Sequence, residues 1–166
     1  MRSLLRVRTA LVILVPEAEP LVGSLRSRYD LVDKTGIPAH VTILFPFGDR
    51  EDGLEELFGR FDPFDFALTD VRRWPGVIWL APEPAEPFIA LTTAVAERYP
   101  EHPPYEGERD TVIPHLTVGH REDVPPDVDA ELARGLPVSA RAPHVVQLEE
   151  FARHRWRERR RLPLGR

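Results

Sequence analysis

Short apolar runs alternate along the chain with segments whose apolar residues recur every three or four positions. Residues 10–15 and 77–80 form two such runs, rich in the β-branched and aromatic residues that strands favour. Each run is followed by Ala-Glu-Pro and then by a helical pattern, which ends at Tyr29 in the first case and at Tyr99 in the second. The pattern therefore predicts a strand followed by a helix, twice.

A second strand follows each predicted helix, and both of these strands carry the triplet His-x-Thr. In residues 39–45 the triplet begins at His40 and ends at Thr42, and in residues 114–119 it begins at His115 and ends at Thr117. Because side chains alternate across a strand, each histidine shares one face with its threonine, and the apolar residues take the other face.

The parallel between the two segments continues into a short acidic helix and a third strand. We therefore predict a single domain, residues 1–166, built from one repeat at about 6–72, a second at about 73–150 and a C-terminal strand at about 151–166. The expected α+β fold has two lobes related by a pseudo-twofold axis, with two mainly antiparallel sheets flanking a central groove and helices on the outside. Further helices are predicted around residues 54–58 and 128–133, and further strands at 64–68, 138–141, 145–148 and 155–162.

Composition restricts the chemistry that this fold could carry. The 166 residues are 42% hydrophobic and 30% charged, as in folded soluble domains, and they include no cysteine. Disulfides, thiolate metal sites and a cysteine nucleophile are therefore excluded. The longest apolar run is too short to cross a bilayer, so we expect a cytoplasmic protein without a membrane partner.

The charge distribution is uneven. The net charge of −5 argues against a general nucleic-acid coat, and we expect no DNA partner. Residues 153–166, however, contain seven arginines and only one acid, Glu158. Two interpretations stay open for this tail: a basic surface that meets an anion, or the solvated face of an edge strand whose charges prevent aggregation.

The paired triplets suggest acid–base chemistry on a phosphodiester. Two imidazoles with ordinary pKa values near ~6.5 can supply one base and one acid at neutral pH. Two threonine hydroxyls can donate hydrogen bonds to the non-bridging oxygens of a phosphate. We therefore expect no metal and no other cofactor.

Residues 38–47 and 115–118, within the duplicated units, resemble the motifs of the 2H phosphoesterase superfamily, and particularly its 2′-5′ RNA ligase-like branch. The resemblance extends over nearly the whole chain. It implies a bilobal fold with a central groove, and metal-independent cleavage or formation of phosphodiesters that involve a ribose 2′-oxygen. The implied substrates are small nucleotides with a 2′,3′-cyclic phosphate or a 2′-5′ linkage, or RNA ends, and we expect a monomer. The catalytic residues that it implies are His40, Thr42, His115 and Thr117.

Residues in the loops before the two motifs are candidates for substrate binding. Lys34, the only lysine, precedes the first motif, and Tyr105 and Arg109 precede the second. A lysine or arginine could contact phosphate and a tyrosine could stack on a base. For Lys34 the interpretation as a solvated loop charge is preferred, whereas for Tyr105 and Arg109 both interpretations stay open. Phe45 and Phe47 are interpreted as core or rim packing.

His120, close to Glu122 and Asp123, suggests a metal-dependent hydrolase as an alternative. If the strand continues regularly, His120 lies on the face opposite His115, which argues against a shared metal site. Two further alternatives are a nucleotide-binding module without catalysis and a structural scaffold. The remaining histidines are expected on the surface: His102, His144 and His154.

Overall fold

The structure is a computed structural model that describes residues 7–30, 35–49, 52–107, 111–120 and 122–165. The described residues form eight strands and four α-helices in the order that the sequence predicts, with ends that differ by a few residues and a longer third strand. In chain order they are β1 (Thr9–Leu14), α1 (Glu19–Tyr29), β2 (His40–Phe47), α2 (Leu54–Gly59), β3 (Phe64–Trp74), β4 (Val77–Glu83), α3 (Glu86–Arg98), β5 (Leu116–Gly119), α4 (Asp127–Arg134), β6 (Val138–Ala142), β7 (His144–Ala152) and β8 (Arg155–Pro163).

All eight strands belong to one sheet, in the order β6-β3-β4-β5-β2-β1-β7-β8. Every neighbouring pair is antiparallel. The two His-x-Thr segments meet at the middle of this sheet, because β2 and β5 pair there through Val41 and Leu116. The α+β class is confirmed.

The prediction of two separate sheets is wrong. It assumed that each repeat keeps its own three strands, whereas β3 of the first repeat pairs with β4 and β6 of the second. The pairing of Val41 with Leu116 then joins the two groups of strands into one sheet. The duplication and the two-lobed organisation stay predictions.

The four helices pack against one face of the sheet and close the main apolar core. α1 contacts β5, α3 contacts β2, α4 contacts β3 and α2 contacts β8. On the central strands the core-facing side chains are Val41 and Ile43 of β2 and Leu116 and Val118 of β5. The opposite face of these strands is left for the His-x-Thr side chains.

The start of α1 holds the start of β2 in place. Pro20 in the first turn suits a helix N-terminus, where its missing N–H has no partner to lose. Glu19, also in that turn, accepts a hydrogen bond of 2.7 Å from the Ala39 amide through Oε2, and the Ala39 carbonyl accepts one of 2.9 Å from Val15. Ala39, the residue before His40, is therefore held through both its amide and its carbonyl group.

Within the described ranges, none of the helices has the length and apolar character that crossing a membrane requires.

Candidate active site

Both His-x-Thr pairs line a single cavity. Its volume is about 590 Å³, and His40, Thr42, His115 and Thr117 all contribute to its wall. Small-molecule sites usually have volumes of ~300–1,000 Å³. The structure thus brings together two pairs of residues that lie 75 positions apart in the sequence.

Strand alternation directs these side chains into the cavity. Val41 and Ile43 are buried in the main core, so His40 and Thr42, which are half-buried, project from the other face of β2. The same alternation directs Thr117 of β5. His115 directly precedes the first residue of β5 and lines the same cavity.

A backbone hydrogen bond fixes each imidazole in the same way. Nδ1 of His40 lies 2.7 Å from the carbonyl oxygen of Pro38, and Nδ1 of His115 lies 2.7 Å from that of Ile113. Because a carbonyl oxygen only accepts hydrogen bonds, each neutral ring carries its proton on Nδ1. Nε2 is then the nitrogen that can accept a proton from a ligand.

Electrostatics distinguish His40 from an ordinary histidine. Burial lowers the pKa of His40 to about 4, and the hydrogen bond to Pro38 opposes part of this shift. The positive charge of Arg26 also lowers this pKa, as does that of His115 when it is protonated, whereas the negative charge of Asp30 raises it. His40 is therefore neutral at pH 7 before a ligand binds.

Two tryptophans pack around His115. The ring of Trp74 lies edge-on at 4.9 Å and that of Trp79 at 5.8 Å from the imidazole. The two indoles contact each other at 4.4 Å. His115 is thus confined by bulky aromatic groups on the β4 side of the site.

Residues 14–158 match the sequence model of the 2′-5′ RNA ligase superfamily. The chain belongs to this superfamily, a group of 2H phosphoesterases. The resemblance drawn from the two motifs is therefore confirmed. A search of curated protein sequences found no match.

Solved structures of this fold cover nearly the whole chain. E. coli LigT complexed with 3′-AMP is 20% identical, with a TM-score of 0.66 over 97% of this chain and 99% of LigT. LigT complexed with NADP+ is 21% identical, with a TM-score of 0.62 over the same shares. A structure described as a phosphoesterase is 18% identical, with a TM-score of 0.66 over 97% of this chain and 99% of its own.

On a strand that continued regularly, as we expected, His120 would lie on the face opposite His115. His120 instead lines the same cavity as His115. The reason is that β5 ends at Gly119, and the His120 amide donates to the Tyr29 carbonyl at 2.9 Å instead of continuing the strand. The alternation of side chains across the sheet therefore ends one residue before His120.

A buried ion pair holds His120. Its Nδ1 lies 2.8 Å from Oδ1 of Asp30, and Oδ2 of Asp30 accepts a hydrogen bond of 3.1 Å from Arg26. Arg26 and Asp30 are only 1% and 3% exposed, and Arg26 also donates to the Ile37 carbonyl at 3.0 Å. Removing one partner from such a pair costs about 3–5 kcal/mol, so the carboxylate is a firm support.

A third imidazole, with Nε2 on the side away from Asp30, is therefore available at this cavity. The i,i+4 spacing of Arg26 and Asp30 was the sequence signal for the pair, but nothing in the sequence linked it to His120.

The predicted substrate-binding residues are not placed by the structure. Lys34 and Arg109 lie outside the described residues, and so does the side chain of Tyr105, whose backbone belongs to a 3₁₀ turn at Pro104–Gly107. Their roles stay predictions. By contrast, the cavity wall includes Phe45, which was interpreted as packing.

The other histidines and the basic strand are mostly engaged with the protein. His102 packs on Phe47 at 4.9 Å, and His144 contacts Arg161 at 3.0 Å. The exposed His154 also lines the cavity. Arginines of β8 pair with acids, as in Arg157 with Glu149 at 2.8 Å and Arg161 with Glu158 at 2.7 Å. These pairs favour the interpretation of β8 as a charged edge strand.

In the part of the chain that the structure describes, no three histidine, aspartate or glutamate side chains are grouped so that they could hold a metal ion.

Proposed function

We propose that the protein is a metal-independent phosphodiesterase of the 2H type. Its substrates are small nucleotides or RNA ends that carry a 2′,3′-cyclic phosphate or a 2′-5′ phosphodiester. One observation carries the proposal: two His-x-Thr pairs face one cavity, and both imidazoles have Nδ1 bound to a backbone carbonyl, so that the proton acceptor of each neutral ring is Nε2.

The proposed reaction is an in-line displacement at phosphorus. The oxygen of a water molecule attacks the phosphorus, and Nε2 of one histidine takes the proton of that water. The bond from phosphorus to a ribose oxygen breaks, and Nε2–H of the other histidine protonates the leaving oxygen. Thr42 and Thr117 donate hydrogen bonds to the non-bridging oxygens as negative charge develops on them. Ligation uses the same in-line geometry: a ribose hydroxyl of a second nucleotide replaces water as the attacking group on a 2′,3′-cyclic phosphate, and one ribose oxygen of the cyclic phosphate leaves and is protonated.

The charge state of the site suits this scheme. The low pKa of His40 makes it neutral in the free protein, so its Nε2 is a proton acceptor at pH 7. A bound phosphate brings negative charge, which favours the protonated form of nearby imidazoles. One neutral and one protonated histidine can therefore coexist once the substrate is bound.

The size of the site and the ligands of relatives support a nucleotide. A cavity of about 590 Å³ can hold a mononucleotide. The structural relative E. coli LigT has been crystallised with 3′-AMP and with NADP+. Both ligands combine a ribose, a phosphate and a base.

The decisive experiment is a substrate screen with chelator present. Purified protein is incubated with 2′,3′-cyclic nucleotides, ADP-ribose cyclic phosphate and 2′-5′ dinucleotides in excess EDTA, and products are separated by chromatography. We expect turnover of at least one of these compounds. The matched control is the His40→Ala/His115→Ala double variant purified in the same way, because it reveals contaminating activity.

Two outcomes would overturn the proposal. Binding of these nucleotides without turnover would identify a nucleotide-binding module. Activity that EDTA abolishes and zinc or manganese restores would identify a metal-dependent hydrolase.

A further inference from the structure

The cavity extends from the two motifs toward one edge of the sheet only. Besides β2 and β5, the strands that line it are β1, β7 and β8. Among the described residues, no side chain of β3, β4 or β6 contributes to its wall. Across the sheet, a ligand that is larger than a phosphate therefore has room over β1 and β7, toward the edge strand β8, and not over β4.

The opposite direction is closed by aromatic packing. On β4 the residue beside Thr117 is Trp79, which is only 2% exposed. Trp74 covers Trp79 at a ring distance of 4.4 Å. These two indoles fill the space that a ligand would need on that side of His115.

The equivalent position beside Thr42 carries a much smaller side chain. Here the neighbour on β1 is Val12, and Ala10 follows on the same face. Both belong to a small apolar cluster with Ile37 and Leu148, and Trp156 of β8 packs against this cluster. The open half of the cavity thus has an apolar floor and an aromatic wall.

Phe45 completes that wall. Its ring meets the Trp156 ring edge-on at a centroid distance of 5.8 Å, and it is 37% exposed, which is unusual for a large apolar side chain. The Arg8 guanidinium lies 5.1 Å from the Phe45 centroid. Exposed aromatic rings beside a phosphate site are the groups on which nucleic-acid bases stack.

We propose that the part of the cavity walled by Phe45 and Trp156 is a nucleobase subsite, which orients the nucleotide with its base over β1 and β7. This inference rests on the proposed function, because it takes the phosphate to lie between the two His-x-Thr pairs. In a mononucleotide such as 2′,3′-cyclic AMP the base then lies on the side of β2, and the Trp74–Trp79 side faces the end of the phosphate that bears no nucleoside.

The subsite is expected to accept different bases. The carboxylate at its rim, Glu150, is engaged by the protein, since it accepts a hydrogen bond of 3.0 Å from the His154 amide and lies 3.5 Å from Arg8. Stacking on aromatic rings is tolerant of base identity because every base has a π-face. Purines should bind better than pyrimidines, because the larger ring buries more apolar area.

The test compares substrates with and without a base. Michaelis constants are measured for 2′,3′-cyclic AMP and for ribose 2′,3′-cyclic phosphate with the wild type, Trp156→Leu and Phe45→Leu. Leucine keeps apolar volume but removes the ring. We expect KM for cyclic AMP to rise roughly tenfold in each variant, with kcat little changed. KM for the ribose compound should stay within about twofold, and Trp156→Phe should restore most of the affinity for cyclic AMP.

Phe151→Leu is the matched control. Phe151 is the other large apolar side chain that is exposed in the described residues, at 44%, and it lies on β7 of the same hairpin but does not line the cavity. Its loss should change neither Michaelis constant. Equal changes for both substrates in Trp156→Leu, or no change for either, would overturn the base subsite.

A binding measurement separates this inference from the proposed function. Calorimetric titration with 3′-AMP and with ribose 3-phosphate requires no turnover. If the protein turns over no substrate, the proposed function fails, but tighter binding of 3′-AMP that Trp156→Leu abolishes still supports the subsite. If cyclic AMP is hydrolysed and both titrations give equal affinity, the subsite is wrong and the function stands.

Discussion

The two halves of the site, one around Thr42 and one around Thr117, carry the same pair of side chains but have different neighbouring residues. Beside Thr42, strand β1 presents Val12, and the cavity continues over it. Beside Thr117, strand β4 presents Trp79, and the space is filled. The backbone hydrogen bonds of the two imidazoles are nevertheless the same, at 2.7 Å from the carbonyl two residues before each histidine.

This difference separates two requirements of the proposed reaction. Proton transfer and charge stabilisation need matching groups on both sides of the phosphorus, and there the halves agree. A mononucleotide such as 2′,3′-cyclic AMP has a base on one side of its phosphate only, and there the halves differ. The comparison predicts that substitutions in the paired residues have similar effects in both halves, whereas substitutions in their surroundings do not.

The largest effect is expected from removal of either imidazole. His40→Ala and His115→Ala should each lower turnover by roughly 10²–10⁴-fold, because each removes a positioned acid or base. Steady-state kinetics on the best substrate from the screen measures this loss. His144→Asn is the control, because His144 lies outside the cavity wall. Wild-type turnover in either alanine variant would show that the two halves are not catalytically equivalent.

The sequence predicted the parts of this comparison that depend on local patterns. Alternation along residues 39–45 identified the face that carries His40 and Thr42, and the repeated Ala-Glu-Pro located both helices. These signals operate within a few residues of the chain. They do not report which strands pair, and the exchange of β3 into the other half of the sheet was therefore missed.

The unlike surroundings were missed for the same reason. Trp79 was recognised only as a strand residue, and Trp156 only as part of a basic segment, since their positions beside the cavity depend on long-range pairing. His120 shows a second limit: one residue beyond the end of β5, the alternation rule no longer holds. Local periodicity can locate a motif, but the shape of the space around it comes from tertiary structure.

The next effect concerns stability and is confined to the half of the site around Thr117, where Trp74 and Trp79 fill the space. Trp79→Ala should lower the free energy of unfolding by about 3–5 kcal/mol, as large-to-small changes of buried aromatic residues do. The buried Nε1 of Trp79 has no hydrogen-bond partner in the described structure, so the loss should fall toward the lower end of that range.

Val12→Ala is the comparison variant for the open half. It removes two methyl groups, so we expect a loss of roughly 1.5–2 kcal/mol. Urea unfolding measures both values. Equal losses would contradict the view that the two indoles fill one half of the site and that small side chains leave the other half open.

The hydroxyl groups should again act equally in both halves. Thr42→Val and Thr117→Val should each weaken transition-state stabilisation by ~2–4 kcal/mol, since each loses a donor to the developing charge. The measured quantity is kcat/KM, and unchanged melting temperatures would show that packing is preserved. A large loss from one threonine and none from the other would assign the phosphate to one half of the site.

The last effect expected is a pH dependence of stability that arises from His40. Burial lowers the pKa of His40 to about 4 in the native state, against ~6.5 in an unfolded chain. Between these values the unfolded chain binds a proton that the native site does not, so the free energy of unfolding falls as the pH falls from about 6.5 to about 4.

His40→Gln removes this group, and its stability should decline less than that of the wild type between neutral and acidic pH. Urea unfolding at several pH values checks the slope, with His154→Asn as a control for loss of an exposed imidazole. If His40→Gln kept the wild-type slope, burial would not penalise a charge on His40, and the low pKa that makes His40 neutral in the free protein would be wrong.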